Sequence, residues 1–300
     1  MGYILMTMGT ITNALITQFS DMMHIRAQQS RARLRPYVDI RRMTGDVYAY
    51  DGLGVVEARE LTGRLNLTQF DDIEFNRREI MRRRFVVTLP VDKMDTEGMI
   101  VDPQGRFAEA SVKALERVFD LVCYQAMFAT VNTGQTFQTA VTAANDGVLT
   151  VDATAGLTLP KILQIKQNFI DGEVGNDLPV KVCLGISGEE HSTLLQIDQF
   201  ISTRYTTQLQ LEKGVATSVA DMDLIKFGAN VTNPVLAVNA GVRSSFAMAT
   251  DGICVGMSRD WDITIKDRPD YVDTKQVQIV GVLGAVRTEG KLIQQFNTTV

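Results

Sequence analysis

The stretch Asp102 to Thr130, DPQGRFAEASVKALERVFDLVCYQAMFAT, is the longest uninterrupted helical pattern in this 300-residue chain. Asp102 can cap it, and Pro103 fits the first helical position, where its missing N–H costs nothing. Phe107, Ser111, Leu115, Val118, Val122 and Ala126 recur at three- and four-residue steps and share one face. Glu109, Lys113, Glu116, Arg117 and Asp120 occupy much of the remaining surface. Asn132, Thr133 and Gly134 mark where the helix should stop. Such a helix spans on the order of 40 Å at roughly 1.5 Å per residue. Taken alone it reads as an ordinary core helix; its length also suits a strut.

The rest of the chain narrows what that helix supports. Hydrophobic content of 45% and charged content of 22% allow a buried core, in one body with extensions or in two domains. No run of eighteen apolar residues is present, so no helical membrane span is expected. The apolar start MGYILMTMGTITNALI lacks a basic leader and a small-residue cleavage site, and does not read as a signal peptide. Cys123, Cys183 and Cys254 lie far apart without CxxC spacing, and read as reduced, buried, small hydrophobes.

The net charge of −5 conceals an asymmetry, because no lysine precedes Lys93 while arginines crowd the same region. Arginine forms planar, bidentate pairs with carboxylates and phosphates. An arginine-only segment suits fixed ion pairs with another surface. Nucleic acid is the competing partner, but acids from Asp39 to Glu74 are interleaved and aromatic residues do not accompany the basic run. A solvated charged face is the plainest alternative.

Thr10 to Arg35 reads as an amphipathic helix through Ile11, Leu15, Phe19, Met22 and Met23, followed by an extended, charged stretch to Met43. From Tyr48 to Thr88 the pattern is a long charged β-hairpin, with the densest charge at Arg77–Arg84 and a strand from Phe85 ending at Pro90. Such a hairpin exposes two edges and needs a neighbour to lean on. Leu159–Ile170 reads as a helix, Val180–Leu184 as a strand, and Ser187 as the cap of a helix from Gly188 to about Ile197; together they suggest an α/β lobe. Gln199 to Val219 reads as a long polar loop, and Leu224–Val231 and Val235–Val238 as short strands. Val242–Met248 and Gly252–Met257 are helix or strand by periodicity alone. Trp261–Lys266, Val277–Val286 and Lys291–Phe296 are expected to form three adjacent strands beneath the long helix.

No catalytic constellation emerges. The histidines are His24 and His191. The segment GISGEEHS superficially resembles a serine-nucleophile turn, but GxSxG would need glycine where Glu189 stands, so Ser187 reads as a cap. HExxH, a phosphate-binding GxxxxGK[ST] and GxGxxG after a strand are all absent. No catalytic residue, metal or cofactor is therefore assigned.

The order of arm helix, charged hairpin, strut helix, α/β lobe and returning β-strands resembles the major capsid proteins of tailed bacteriophages. ITNALITQFSDMMHIRAQQSRARLRPYV, TGDVYAYDGLGVVEARELTGR, RREIMRRRFVVTLPVDKMD and VDPQGRFAEASVKALERVFDLV are similar to segments of that family, and QVQIVGVLGAVRTEGKLIQQF matches its closing strands more loosely. The resemblance implies an α+β, HK97-like capsid fold. Residues 1–45 would be the N-terminal arm and 46–92 the extended β-hairpin loop. Residues 93–154 and 261–300 would form the peripheral domain, with the spine helix at 102–130, and 155–260 the axial α/β domain.

It further implies a structural protein forming hexamers and pentamers of an icosahedral shell around double-stranded DNA, bound non-specifically on the inner surface. Scaffolding, portal and decoration proteins would be partners, and no membrane is involved. The protein would reside in the virion after assembly in the host cytoplasm. Inter-subunit contacts are expected at Arg59, Arg64, Arg77, Arg78, Arg82, Arg83, Arg84, Phe19 and Met22, with Phe107, Leu115, Val118 and Val122 packing the spine helix. Some relatives cross-link through a loop lysine; this loop has none, so a non-covalent shell is expected. A cellular compartment shell of the same fold is the alternative, and a soluble enzyme without a histidine-based site a more distant one.

Overall fold

The structure, a computed structural model, describes residues 28–56, 58, 60, 73, 75–92, 104–154, 156–174, 180–197, 218–229, 234–271 and 274–299. The chain divides into two compact units. One comprises Arg83–Phe119 and Arg259–Leu283 with the described residues up to Ala32; the other comprises Arg33–Arg82, Asp120–Ser258 and the described residues from Gly284 onward.

In the first unit, strand β4 (Arg83–Val91) runs antiparallel to β14 (Thr274–Arg287), with Val86 opposite Val280 and Phe85 opposite Gly281. Alternate burial along β4 turns Phe85, Val87 and Leu89 inward and leaves Arg84, Val86 and Thr88 exposed. Pro90 lies within β4 rather than ending it, which an edge strand tolerates because a proline there loses no ladder bond. The long helix α1 is Gln104–Phe128. Leu115 is buried in this unit, while Phe107 and Val118 are half-buried. The single tryptophan, Trp261, lies over Gly281: a Cβ there would approach the indole Cζ3 to 2.3 Å. The indole Nε1 donates to Glu116 Oε1 of α1 at 2.5 Å.

The second unit contains a seven-stranded sheet of order β7-β15-β12-β8-β10-β9, with β11 on β12. Its strands are β7 (Leu149–Asp152), β8 (Val182–Ser187), β9 (Ser218–Val219), β10 (Met222–Phe227), β11 (Val238–Asn239), β12 (Val242–Ala249) and β15 (Ile293–Thr299). β8 is buried at every position and pairs in parallel with β10, the pattern of a central strand covered on both faces. Helices α2 (Leu159–Asp171) and α3 (Gly188–Leu195) contribute Ile162, Ile165, Phe169 and Leu194 to a core with Leu184, Ile186, Ala247 and Phe296.

A second sheet in this unit, β2-β3-β5-β6, holds the hairpin. β2 (Val47–Leu53) and β3 (Phe75–Met81) pair from Val47 opposite Met81 to Leu53 opposite Phe75, and β3 continues onto β5 (Val131–Thr133), which pairs with β6 (Thr139–Val141). Strand β1 (Asp39–Arg42) runs parallel to the start of β13 (Ile253–Arg268). Val122 is buried here, as are Cys123, Cys183 and Cys254, which are unpaired thiols.

Several expectations need correcting. The three C-terminal strands do not form one sheet. β13 and β14 belong to the four-stranded sheet β1-β13-β14-β4, whereas β15 inserts between β7 and β12. The turn at Thr288–Leu292, where Gly290 packs against the Asp146 carbonyl with no room for a Cβ, redirects the chain. Gly252–Met257 and Trp261–Lys266 are one sixteen-residue strand, β13, rather than two pieces. Residues 28–34 are not the end of an arm helix; they are irregular and lead to a 3-10 turn at Arg35–Tyr37. Glu116 and Asp120 on α1 are not part of a free charged face. They are 8% and 0% exposed, because both accept backbone N–H groups of that irregular stretch.

Candidate functional site

The arginine-rich hairpin is the natural place to look for function, and most of its arginines find carboxylates within the chain. Asp51 and Arg77 are direct cross-strand partners, joined by Nε–Oδ1 at 2.6 Å and Nη2–Oδ2 at 3.1 Å. The pair is solvated, and the bond from Arg77 holds the Asp51 carboxyl below the usual range. Arg82 pairs with Asp46 at the foot of the hairpin, where its N–H also donates to the Asp46 carbonyl at 3.0 Å. Arg83 and Arg84 are exposed. Arg59, Arg64, Phe19 and Met22 lie outside the described residues.

Arg78 differs from its neighbours. It is 2% exposed, and its guanidinium grips Asp146 end-on, Nη1–Oδ2 and Nη2–Oδ1 both at 2.7 Å. Arg287, fully buried at the end of β14, donates Nε to the same Asp146 Oδ2 at 2.6 Å. Arg287 Nη1 caps the end of α1 through the Met127 carbonyl at 2.7 Å and the Ala129 carbonyl at 3.2 Å, and Arg78 Nη1 reaches the Arg287 carbonyl at 3.1 Å. Basic groups are favourable at a helix C-terminus, where carbonyls lack intrahelical partners. Burial raises the Asp146 pKa, but the hydrogen bonds and charges of Arg78 and Arg287 outweigh it, so the carboxyl stays below its ordinary value. One carboxylate thus ties the hairpin strand β3, the end of α1 and the end of β14 together. Arg78, expected at a subunit contact, is committed inside its own chain.

Ser187 is a helix cap. Its Oγ accepts from Glu190 N at 3.3 Å while Glu190 Oε2 accepts from Ser187 N at 2.6 Å, a complete capping box. Arg243 Nη1 donates to Ser187 Oγ at 2.7 Å, and the buried Glu190 Oε1 accepts from Ser245 and Thr298 hydroxyls. His191 is half-buried on α3, where burial and then Lys226 lower its pKa. Among the described residues no cluster of three or more His, Cys, Asp or Glu is placed to hold a metal ion. No described helix is long and apolar enough to cross a membrane.

Exposed apolar side chains gather where the described β2–β3 ladder ends. Leu53, Val55 and Phe75 are 71%, 93% and 74% exposed, with Val56 and Ile73 beside them in sequence. Sequence reading fixed on the arginines and passed over this cluster; the signal available was the GLGVV segment that follows Asp51 without a charge.

A hairpin, a long helix and a sheet shared between chain-distant segments are the arrangement of the HK97-like fold. Solved structures agree over nearly the whole length. They include the capsid structure of the cyanophage P-SCSP1u (10% identity, TM-score 0.70, covering 96% of this chain and 94% of that one). Mycobacterium phage Che8 is similar (11%, TM-score 0.69, 93% and 96%). So is the head structure of Helicobacter pylori bacteriophage KHP40 (9%, TM-score 0.69, 99% and 99%). At these identities the likeness establishes the fold. No curated protein sequence matches the chain. The sequence profile of the phage capsid protein family matches residues 11–294, and the chain belongs to that family. It is a structural major capsid protein, and its place is the capsid of the virion. The compartment-shell and enzyme readings draw no support from these matches.

Proposed function

We propose that this chain assembles with copies of itself into hexamers and pentamers of a closed, non-covalent shell around double-stranded DNA. The observation that carries this reading is the exposed apolar cluster at the end of the described β2–β3 ladder, since a stable monomer has no reason to expose Leu53, Val55 and Phe75 together. Residues 46–92 act as the extended loop that overlies a neighbour, and 1–45 as an arm whose Phe19 and Met22 bury on another subunit. Residues 93–154 with 261–300 form the peripheral domain, and 155–260 the axial domain, whose sheet is extended at one edge by β15 and β7.

Arg59, Arg64, Arg83 and Arg84 supply contacts at the periphery, each exposed ion pair contributing about 0–1 kcal/mol, so apolar anchors and repetition decide assembly. Arg77 and Arg82, already paired within the chain, have less to offer. A scaffolding protein, a portal and a decoration protein are the proposed protein partners, assembly takes place in the host cytoplasm, and DNA contacts are non-sequence-specific.

Electron microscopy of the purified, concentrated protein tests the reading. Round closed particles are expected, and a protein that stays monomeric overturns it. Particles boiled in denaturant should run as monomers on a gel, because the loop from 46 to 92 contains no lysine; a ladder of cross-linked oligomers contradicts a non-covalent shell. Arg83→Glu with Arg84→Glu should lower particle yield while leaving the thermal midpoint of the subunit unchanged. Normal particles from that variant remove both arginines from the contact set.

A further inference from the structure

Of the seven residues of β3, Arg78 and Ile80 alone are buried, and, two apart, they share one face of the strand. Ile80 packs into a small core with Met43, Val131, Cys254 and Val286. Beside it the Met81 carbonyl lies so close to Gly284 that a Cβ there would approach it to 2.2 Å, which leaves this end of the strand no play. Arg78 is the outer point of attachment. It stands opposite Thr133, the residue pair that joins β3 to β5, and Gly134 N donates to the neighbouring Arg77 carbonyl at 3.1 Å. Asn132 Nδ2 also donates to Glu79 Oε2 at 2.8 Å. Past Arg77 the strand runs clear: Phe75 and Asn76 are exposed, as is Leu53 opposite Phe75.

One buried point fixes a position, and two fix a direction. A side chain that merely filled space at position 78 could slide along its neighbours. A guanidinium bonded to both oxygens of one carboxylate is held in plane and in register. Nη1 and Nη2 carry the bonds of Arg78, two to Asp146 and one to the Arg287 carbonyl, while the buried Nε has no acceptor. Asp146 is braced in turn by Arg287, which is itself bonded to carbonyls at the end of α1. We propose that Arg78 is a positioning residue: with Ile80 as pivot, its fork to Asp146 sets the angle at which the β2–β3 ladder leaves the rest of the second unit. At roughly 3.3 Å per residue, Arg78 lies about 7 Å from that pivot and Phe75 about 17 Å. Play of about 1 Å at Arg78 therefore becomes about 2.5 Å at Leu53 and Phe75. Dispersion contacts are forfeited over shorter distances than that. Arg77, paired with Asp51 of the same ladder, travels with it and fixes no angle. The consequence for assembly rests on this end of the ladder touching a second copy, as proposed above.

The test uses the full-length subunit, dissociated from particles. Spin labels go on Asn76→Cys in β3 and Gln167→Cys in α2, exposed positions of the second unit, while the native thiols are buried. The parent should give one narrow distance. Arg78→Met keeps the stem and removes the fork, and should widen the distribution by about 2.5 Å, the amplified play. Arg78→Lys should widen it as well, because an ammonium is one point of charge rather than a planar fork, and it serves where Arg78→Met folds poorly. A width like the parent's in the folded variant overturns the proposal, however much stability is lost. The yield of closed particles from the folded variant should fall about tenfold or more, the effect of misplacing one interface anchor. A normal yield beside a widened distance shows that assembly does not depend on the angle, and overturns the assembly role. Normal particles from Leu53→Ser/Phe75→Ser are a different failure: they withdraw the neighbour contact proposed above, and the label distances still decide whether Arg78 holds the ladder.

Discussion

Asp146→Ala should destabilise the subunit by about 3–5 kcal/mol, the cost of leaving partnered charges buried and alone. The carboxylate is shared by Arg78 and Arg287, whose side chains are 3% and 0% exposed, so neither guanidinium can turn to water. Three segments lose their common anchor at once: β3, the end of α1 and the end of β14. Chemical denaturation of the dissociated subunit measures the loss. Arg78→Met should cost less than Asp146→Ala, because it leaves Asp146 still bonded to Arg287. A loss below about 1 kcal/mol for Asp146→Ala, the range of a solvated pair, would mean the network is not the anchor described.

The same site sets an acid limit. The Asp146 pKa is lowered in the folded chain; burial acts upward on it, and the two arginines overcome burial. A depressed carboxyl contributes stability that is complete above its unfolded value, about 3.9, and is lost as pH falls through the folded value. Between pH 5 and 7 this contribution is constant. Below about pH 4 stability should decline, and Asp146→Asn should flatten that decline because it removes one linked proton. A wild-type slope retained in the variant assigns the acid response to other carboxylates.

How much of this was legible in the sequence depends on whether the signal was local. The long helix and the Ser187 cap follow from spacing and capping residues within a short window, and both are present; the hairpin expected over Tyr48–Thr88 is present only as β2–β3, because its strand from Phe85 pairs with β14 in another sheet. Glycines inside an apolar strand signal close packing, and a Cβ at Gly281 or Gly284 would overlap Trp261 or the Met81 carbonyl. What was not legible depends on partners far apart in the chain. Glu116 and Asp120 look like surface charges at helical spacing, and only the approach of residues 32–34 buries them. Arg78 is indistinguishable from Arg77 by type and neighbourhood. β-strand alternation sends one to the solvated edge pair with Asp51 and the other inward to Asp146. β15 has the composition of a third strand beside β14, but the tight turn at Gly290 carries it into another sheet.

Leu53→Ser with Phe75→Ser should abolish particle formation while leaving the isolated subunit almost as stable as before. The two side chains face each other across the last rung of the hairpin and are 71% and 74% exposed, so removing them forfeits little buried area within the chain. A surface change of this kind moves monomer stability by about 0.5 kcal/mol or less. At a contact the balance reverses. Each large apolar side chain fully buried there contributes about 1.5–3 kcal/mol, and anchors of this type carry most of the affinity in interfaces where rim charges contribute little. Every subunit in a closed shell makes the same contact, so a modest loss per hairpin is repeated throughout the particle. The Asp51–Arg77 pair, two rungs along the ladder, is solvated and already closed on itself, so it has less to offer a neighbour than the exposed Leu53 and Phe75. Gel filtration and electron microscopy separate the outcomes: soluble, folded subunits without particles are expected. Particles in normal yield would show that the exposed tip is not a contact and would return the weight of assembly to the arm and the peripheral arginines.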